Sequence, residues 1–368
     1  MRKYSIEEKT SILLSFLTRG CSKKNFIKEH PEYKSSTLRR WIRGVSNSGN
    51  SVYSVIDLIT NTQTPLNLFK LPIKNIAVCA TMSSGKSTLV NALLGNDVLP
   101  ARNEATTAKI TSIYDRDGLN TIAGFCMNNN KLVDSSKKVT KTEIDSWNNN
   151  ESVNHIYLQG DIDNISNEGK IVAVHDTPGT NNSGDKRHHD LTIEFLSKNK
   201  IDALIYVANC EQLSTTDEKT LLTEIKDICF KDKDIPFIFV LNKIDSLDLS
   251  KENFTKIYAE YENYLKNLGF NSPRIFPVSA KAARLFKMAL KGKSENFTAK
   301  ERADFYNEFN AFTEDYDFSM GNAVSYKSNL DRIIKIGRSE YTKKDLLNAL
   351  NRTGLRTLEE YVENFFNV

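Results

Sequence analysis

The sequence lacks the long apolar run that a membrane-spanning helix requires. No stretch of its 368 residues approaches the ~20 mainly apolar residues that cross a bilayer. Its amino terminus, MRKYSIEEKT, has no apolar core of the kind found in secretory signals. These two absences argue against a membrane anchor and against export, so the sequence predicts a cytoplasmic protein.

Cysteine is also scarce, and its spacing is uninformative for metals. The five cysteines are odd in number and contain no CxxC pair. This pattern argues against a disulfide framework and predicts reduced thiols, several of them in buried strands. His188 and His189 are adjacent, but the sequence offers them no cysteine or acidic partner at ligand spacing. We therefore expect no structural zinc.

The charge that is present is unevenly distributed. The chain carries a net charge of +4, yet residues 1–44 hold eleven basic and four acidic residues. That block therefore has a net charge of +7, and the remainder has −3. A basic block on a slightly acidic body predicts a separate module with an acidic partner.

The patterning predicts three regions. Short helical segments with capping and breaking residues fill 1–45, and the polar run SNSGNS opens a linker and lead-in helix over 46–70. From residue 71 to 368, short β-branched runs alternate with helical stretches, and a helical insertion is expected at about 285–345. The runs that predict strands are NIAVCA, TAKITSIYD, TIAGFCM, VNHIYLQGD, KIVAVHD, IDALIYVAN, PFIFVLN and RIFPVS. The fold class is therefore α/β, with a doubly wound, mainly parallel sheet preceded by a small all-helical module.

A phosphate-binding loop is predicted at ATMSSGKST (80–88), which follows a strand-like run and opens a helix. Backbone N–H groups would wrap a phosphate, Lys86 would reach the β- and γ-phosphates, and the Ser87 hydroxyl would hold Mg²⁺. Ala80 replaces the usual first glycine, a mild departure because the position needs a small residue. The predicted phosphate-binding residues are Ser83, Ser84, Gly85, Lys86, Ser87 and Thr88.

Three further motifs follow in order, each after a strand-like run. In DTPG (176–179), Asp176 would hold Mg²⁺ and the Gly179 N–H would contact the γ-phosphate. In NKID (242–245), Asp245 can accept two hydrogen bonds from guanine that adenine cannot supply, and Asn242 and Lys243 would brace the base and the P-loop. The backbone of the last motif would contact the guanine oxygen O6, and it consists of Ser279, Ala280 and Lys281.

The order of these motifs predicts a protein that binds GTP with Mg²⁺ as cofactor. A threonine between the P-loop and DTPG should complete the metal site. The segment LPARNEATTAKIT (99–111) offers Thr107, which we favour, and Thr106 as the alternative. Either threonine could instead be only the start of a strand.

The strings SSGKSTLVNALLGNDVLP, ATTAKIT and DTPGTNNSGDKRHHDLTIEFL resemble the GTPase domain of the dynamin superfamily, in its bacterial dynamin-like branch. The resemblance covers roughly residues 70–368. It implies GTP hydrolysis in which Ser83, Lys86, Thr107 and Gly179 take catalytic roles. Thr180 follows DTPG where Ras-like enzymes have a glutamine, and Met82 replaces a glutamine of eukaryotic dynamins. Slow turnover, raised when two GTPase domains form a homodimer, is the implied mechanism.

The same resemblance implies a helical stalk after the GTPase domain, and we expect the given sequence to end with that domain. Membrane contact by this chain alone is therefore doubtful. Either the sequence is a piece of a longer protein, or a helical partner chain supplies the stalk. Residues 1–45 resemble a transposase-type helix-turn-helix, which implies DNA contacts by Arg39, Arg40 and Arg43. The alternative is a basic helical bundle that binds protein.

The sequence is compatible with three functions. The first is a dynamin-like GTPase whose nucleotide state controls dimerisation. The second is a DNA-binding regulator that uses the GTPase as a switch. The third is a GTP-binding scaffold that does not hydrolyse.

Overall fold

The computed structural model describes residue 12 and residues 23–39, 71–100, 109–128, 131–180, 186–232, 235–321 and 330–366. Its architecture is mixed α/β, as predicted. Nine strands form a mainly parallel sheet in the order β4-β3-β5-β2-β6-β1-β7-β8-β9. These strands are β1 (Ile73–Ala80), β2 (Ile110–Asp115), β3 (Ala123–Asn128), β4 (Lys131–Ser136), β5 (His155–Gly160), β6 (Ile171–Asp176), β7 (Ala203–Asn209), β8 (Phe237–Asn242) and β9 (Arg274–Val278).

Ten helices are described with the sheet. They are α1 (Lys23–Glu29), α2 (Lys86–Leu94), α3 (Lys141–Asn149), α4 (Lys186–Lys198), α5 (Thr216–Asp232), α6 (Phe254–Asn267), α7 (Ala280–Leu290), α8 (Ala299–Glu314), α9 (Lys343–Arg352) and α10 (Leu355–Phe365). A two-stranded hairpin of β10 (Ile333–Ile336) and β11 (Ser339–Thr342) precedes α9. Among the described residues, we find no helix both long and apolar enough to cross a membrane.

The contacts divide the chain into two compact units. The first consists of Met1–Asn75, Thr106–Asp161 and Ser166–His175. In it β2 pairs with β5 in parallel, whereas β3 pairs antiparallel with both β4 and β5. Its core includes Phe125 and Ile156, which are fully buried.

The second unit consists of Ile76–Ala105, Ile162–Ile165 and Asp176–Val368. Here β1, β7, β8 and β9 pair in parallel, in that order. Strands β7 and β8 are buried along their whole length, because helices cover both faces of a parallel sheet of this kind. Parallel pairing places the carboxyl ends of these strands at one edge, where the sequence motifs begin.

The structure confirms the predicted strand runs and corrects one region. Eight of the nine sheet strands coincide with the apolar runs, and β4 was not predicted. The stretch 285–345 was expected to be a helical insertion, but it includes the β10–β11 hairpin. Four-residue strands carry too few apolar positions to show a period of two, so sequence patterning missed this hairpin.

Candidate nucleotide-binding site

The P-loop is the turn between β1 and α2. Ser83 and Gly85 both adopt left-handed backbone conformations, with φ of 61° and 84°. Turns that include left-handed residues let successive N–H groups converge on one anion. A Cβ atom on Gly85 would lie 2.3 Å from Nδ2 of Asn242, so this position requires glycine for space as well as for conformation.

Three predicted phosphate and metal residues meet beside the P-loop. The ammonium group of Lys86 donates a hydrogen bond to Oδ1 of Asp176, and both side chains are almost wholly buried. The Ser87 hydroxyl donates to the other oxygen, Oδ2, at 3.0 Å. A hydroxyl beside a carboxylate is the kind of oxygen donor set that Mg²⁺ prefers, so these residues fit the expected metal.

The DTPG segment runs alongside β1 and the P-loop. The Thr177 hydroxyl donates to the Val78 carbonyl at 2.8 Å, and the Thr180 N–H donates to the Ala80 carbonyl at 3.2 Å. In return, the Met82 N–H donates to the Thr180 carbonyl at 3.1 Å. This ladder holds DTPG against the loop that precedes α2. A Cβ on Gly179 would make only ordinary contacts, at 3.5 Å or more.

Asn242 joins the motifs to one another. Its Nδ2 donates to the Ser84 carbonyl at 2.8 Å, and its Oδ1 accepts from the Ala280 N–H at 3.1 Å. The side chain is 2% exposed, so neither bond competes freely with water. Asn242 therefore links the end of β8 to the P-loop and to the start of α7.

Asp245 lies in a short 3₁₀ turn, Ile244–Ser246, directly after β8. Its Oδ1 is buried and has no hydrogen-bond partner among the residues that the structure describes. Its Oδ2 lies 3.9 Å from Nζ of Lys281, in the SAK motif. Buried carboxylate oxygens without partners are rare and costly, so this atom indicates a ligand that donates hydrogen bonds.

The other guanine-site candidates are largely committed within the protein. Lys243 adopts a left-handed conformation, and its Nζ lies 3.7 Å from Glu211. The Ser279 hydroxyl caps α7 by accepting from the Ala282 N–H at 3.1 Å, and the Ser279 N–H donates to the Thr353 carbonyl. The N–H groups of Ser279 and Ala280 therefore both donate hydrogen bonds within the protein. The sequence did not predict these bonds at a backbone expected to contact guanine.

Some predicted residues lie outside the described part of the chain. Thr106 and Thr107 are among them, as are Arg40 and Arg43. Arg39 is exposed, and it is helical like the preceding described residues 35–38. The roles of these residues in metal or DNA binding stay predictions.

Sequence reasoning missed Asn91, which is fully buried in α2. Its Oδ1 accepts from the N–H groups of Val98 and Leu99, at 3.2 and 2.9 Å, and its Nδ2 donates to the Leu99 carbonyl. This side chain therefore fixes the segment that follows α2. A single polar residue inside the apolar run LVNALL was the available signal.

The histidine pair also has a partner that sequence spacing did not show. Nε2 of His189 lies 2.6 Å from Glu224, which is on α5. Nδ1 of the same ring lies 3.5 Å from Asp190. The contact with Glu224 is a hydrogen bond that joins α4 to α5.

Comparison with known proteins finds a family match for less than half of the chain. Residues 76–244 match the model of the Dynamin family. The chain is 28% identical over 296 residues to an uncharacterised protein of the xynA 3' region of Caldicellulosiruptor sp. strain Rt8B.4, covering 79% of this chain and 68% of that protein.

Two further relatives are much longer than this chain. Probable transmembrane GTPase FZO-like, chloroplastic, of Arabidopsis thaliana is 26% identical over 70% of this chain and 24% of its own length. Dynamin-like protein A of Bacillus subtilis strain 168 is 26% identical over 55% of this chain and 16% of its own length. The chain therefore spans less than a quarter of each of these two relatives.

Among solved structures, an oligomerised bacterial dynamin pair described as sensing and tethering membranes is 17% identical over 85% of this chain and 45% of that chain, with a TM-score of 0.44. Era of Aquifex aeolicus, bound to GDP and aluminium fluoride, is 18% identical over 57% of this chain and 52% of that chain, with a TM-score of 0.31. Residues 76–244 are thus similar to the Dynamin family, and this segment contains the P-loop and DTPG.

Proposed function

We propose that this protein binds GTP and hydrolyses it in a Mg²⁺-dependent reaction. The observation that carries the proposal is the buried Oδ1 of Asp245, which has no partner among the described residues. Guanine presents two adjacent donors, its N1–H and its exocyclic amine, to a carboxylate. Adenine presents no such pair, so Asp245 would select the base.

The phosphate end of the site supports the same ligand. Lys86 is paired with Asp176, and its ammonium would contact the β- and γ-phosphates. Ser87 and Asp176, together with Thr107, would hold Mg²⁺, which neutralises charge on the phosphates when it is bound. Charge-assisted contacts of this kind exceed neutral hydrogen bonds by roughly twofold in strength.

Catalysis is proposed to require a second copy of the chain. Thr180 follows DTPG and cannot orient water as a glutamine does. We infer that Ser83 and the Gly179 N–H stabilise the transition state, and that pairing of two GTPase domains completes the site. The resemblance to the dynamin superfamily also leads us to propose a partner chain that supplies helices. Membrane contact would then be made through that partner.

The first test measures the affinity of the full chain for GTP. Lys86→Ala should weaken GTP binding by ~100-fold, since it removes charge-assisted contacts to two phosphates. Lys256→Ala, which changes an exposed lysine on α6, is the matched control and should behave as the wild type does. Unaltered GTP affinity in the Lys86 variant would contradict the phosphate assignment.

Dimer activation is tested by measuring phosphate release against protein concentration, with molecular mass determined in parallel. The proposal predicts a rate per molecule that rises as dimers form. A rate that stays flat while the mass doubles would remove the dimer from the mechanism. Tight GTP binding without turnover at any concentration would instead favour the non-hydrolysing scaffold.

A further inference from the structure

Glu308 lies outside the four sequence motifs and contacts Lys281, which lies beside Asp245. Resting on the proposed function, we propose that Glu308 sets the affinity for guanine nucleotides by holding the Lys281 ammonium away from Asp245. Glu308 is a positioning residue in this account, because it acts on the base only through Lys281 and Asp245.

The distances define an acidic cluster around one ammonium group. Nζ of Lys281 lies 2.6 Å from Oε1 of Glu308, which is a direct hydrogen bond. The same Nζ lies 3.9 Å from Oδ2 of Asp245 and 3.8 Å from Oδ1 of Asp304. Glu308 is therefore the residue that holds Lys281, and Asp245 is close enough to receive it.

The placement of Glu308 follows from how α8 packs on α7. Acidic residues recur along one face of α8 as Glu301, Asp304 and Glu308, a spacing that brings them onto one stripe. They face basic residues on α7, where Arg284 contacts Glu301 at 3.0 Å as Lys281 contacts Glu308.

Aromatic packing fixes this helix pair. Phe286 of α7 makes edge contacts with Phe305, Phe309 and Phe312 of α8, with ring centroids 5.4 to 6.3 Å apart. After α8, the Tyr316 hydroxyl donates to the Leu247 carbonyl at 2.6 Å, two residues beyond Asp245. Glu308 is thus presented to the pocket by a packed element and not by a free loop.

Loss of the Glu308 charge should redirect Lys281. The nearest remaining carboxylates are Asp304 and Asp245, and the side chain of Asp245 is only 9% exposed. A direct ion pair between Lys281 and Asp245 would have to break before the carboxylate could accept hydrogen bonds from guanine. Nucleotide binding would then include the cost of breaking that pair.

The charge of Glu308 is itself sensitive to pH. Burial, followed by the nearby charge of Asp245, raises the pKa of Glu308 to about 7. The ionisable groups that face it are Lys281 from α7, Asp245 from the 3₁₀ turn, Asp304 of its own helix and Tyr316. Glu308 is negative above this value and neutral below it, so guanine affinity should fall as pH decreases from 8 to 6.

The experiment measures the Kd for GDP by titration calorimetry on the full chain at pH 8. Glu308→Gln should raise the Kd about tenfold, because the new ion pair between Lys281 and Asp245 must break before GDP binds. The double variant Lys281→Met/Glu308→Gln should recover most of that loss, since no ammonium is left to compete. Glu314→Gln, at an exposed position of the same helix, is the matched control.

A wild-type Kd at Glu308→Gln, or a double variant as weak as the single one, would overturn the inference. The pH dependence of the wild-type Kd gives a second readout that needs no variant, and a Kd that is flat between pH 6 and 8 would also overturn it. A wild-type protein that binds no guanine nucleotide would overturn the proposed function itself. These outcomes are distinguishable because the last one is seen before any variant is made.

Discussion

At the scale of single residues, Gly85 is the tightest position in the P-loop. It combines a φ of 84° with a location where a Cβ would lie 2.3 Å from the Asn242 amide. Gly85→Ala should destabilise the fold by about 1–2 kcal/mol through the left-handed backbone alone. It should also displace Asn242 and so weaken GDP binding.

Gly118 supplies the control for this prediction. Its φ is 73°, and nothing lies within 4 Å of the position that a Cβ would occupy. Gly118→Ala should therefore show only the backbone cost in urea denaturation, with GDP affinity unchanged. Equal GDP affinity in the two variants would show that the contact with Asn242 is irrelevant to the ligand.

Glu218 provides a residue-scale prediction about pH. It accepts hydrogen bonds from the Ser214 N–H at 2.7 Å and the Tyr261 hydroxyl at 3.1 Å. Burial raises the pKa of Glu218 from 4.5 to about 7. The folded protein therefore keeps a proton that the unfolded chain releases. The contribution of Glu218 to the free energy of unfolding is full below pH 4.5 and is lost as pH rises through 7.

Glu218→Gln keeps the shape of the side chain and removes the titration. We compare the free energy of unfolding of the variant with that of the wild type at each pH. This difference should shift in favour of the variant by about 2–3 kcal/mol between pH 5 and pH 8. Urea denaturation of both proteins at the two pH values measures this quantity. A difference that does not change with pH would mean that Glu218 ionises normally in the folded protein.

At the scale of elements, a buried ion pair connects α7 with α10. Lys287 donates to Glu359, and the two side chains are 3% and 0% exposed. Lys287 also donates to the Leu93 carbonyl at 2.9 Å, at the carboxyl end of α2, where a cation is favourable. The pair thus ties α10 to the helix that follows the P-loop.

Removing one partner should be worse than removing both. Lys287→Met leaves Glu359 buried without its cation and should destabilise the protein by about 3–5 kcal/mol. The double variant Lys287→Met/Glu359→Leu should recover much of this loss. Thermal or urea unfolding of the wild type and these two variants checks the prediction, and a double variant no more stable than Lys287→Met would contradict it.

Elements were predictable from sequence where their apolar runs were long. Strands β7 and β8 consist of seven and six buried residues, and such runs predict buried parallel strands. In contrast, β4 has the sequence KLVDSS, and its pairing with β3 contains an irregular register after Cys126. Its polar residues break the period of two that a half-buried strand shows, so no local signal revealed it.

At the level of the whole molecule, the sequence shows the motifs but not the contacts that support them. Under the proposed function, phosphates and guanine constrain the residue types in SSGKST, DTPG and NKID, so those residues can be recognised one at a time. Asn91 and Glu308 act through contacts between distant segments, and a single sequence does not contain the distances that define them. The hydrogen bond from the Ala280 N–H to Asn242 could not be predicted from the sequence for the same reason.

The proposed guanine-nucleotide site lies in the second unit, with Asp245 selecting the base. Calorimetric titration of the wild type and of Asp245→Asn with GDP, ADP and XDP tests this proposal. We expect the wild type to bind GDP and not ADP. We expect Asp245→Asn to lose GDP and gain XDP, because an amide can pair with the extra carbonyl of xanthine. Equal binding of ADP and GDP by the wild type, or unchanged GDP affinity in Asp245→Asn, would show that Asp245 does not select guanine.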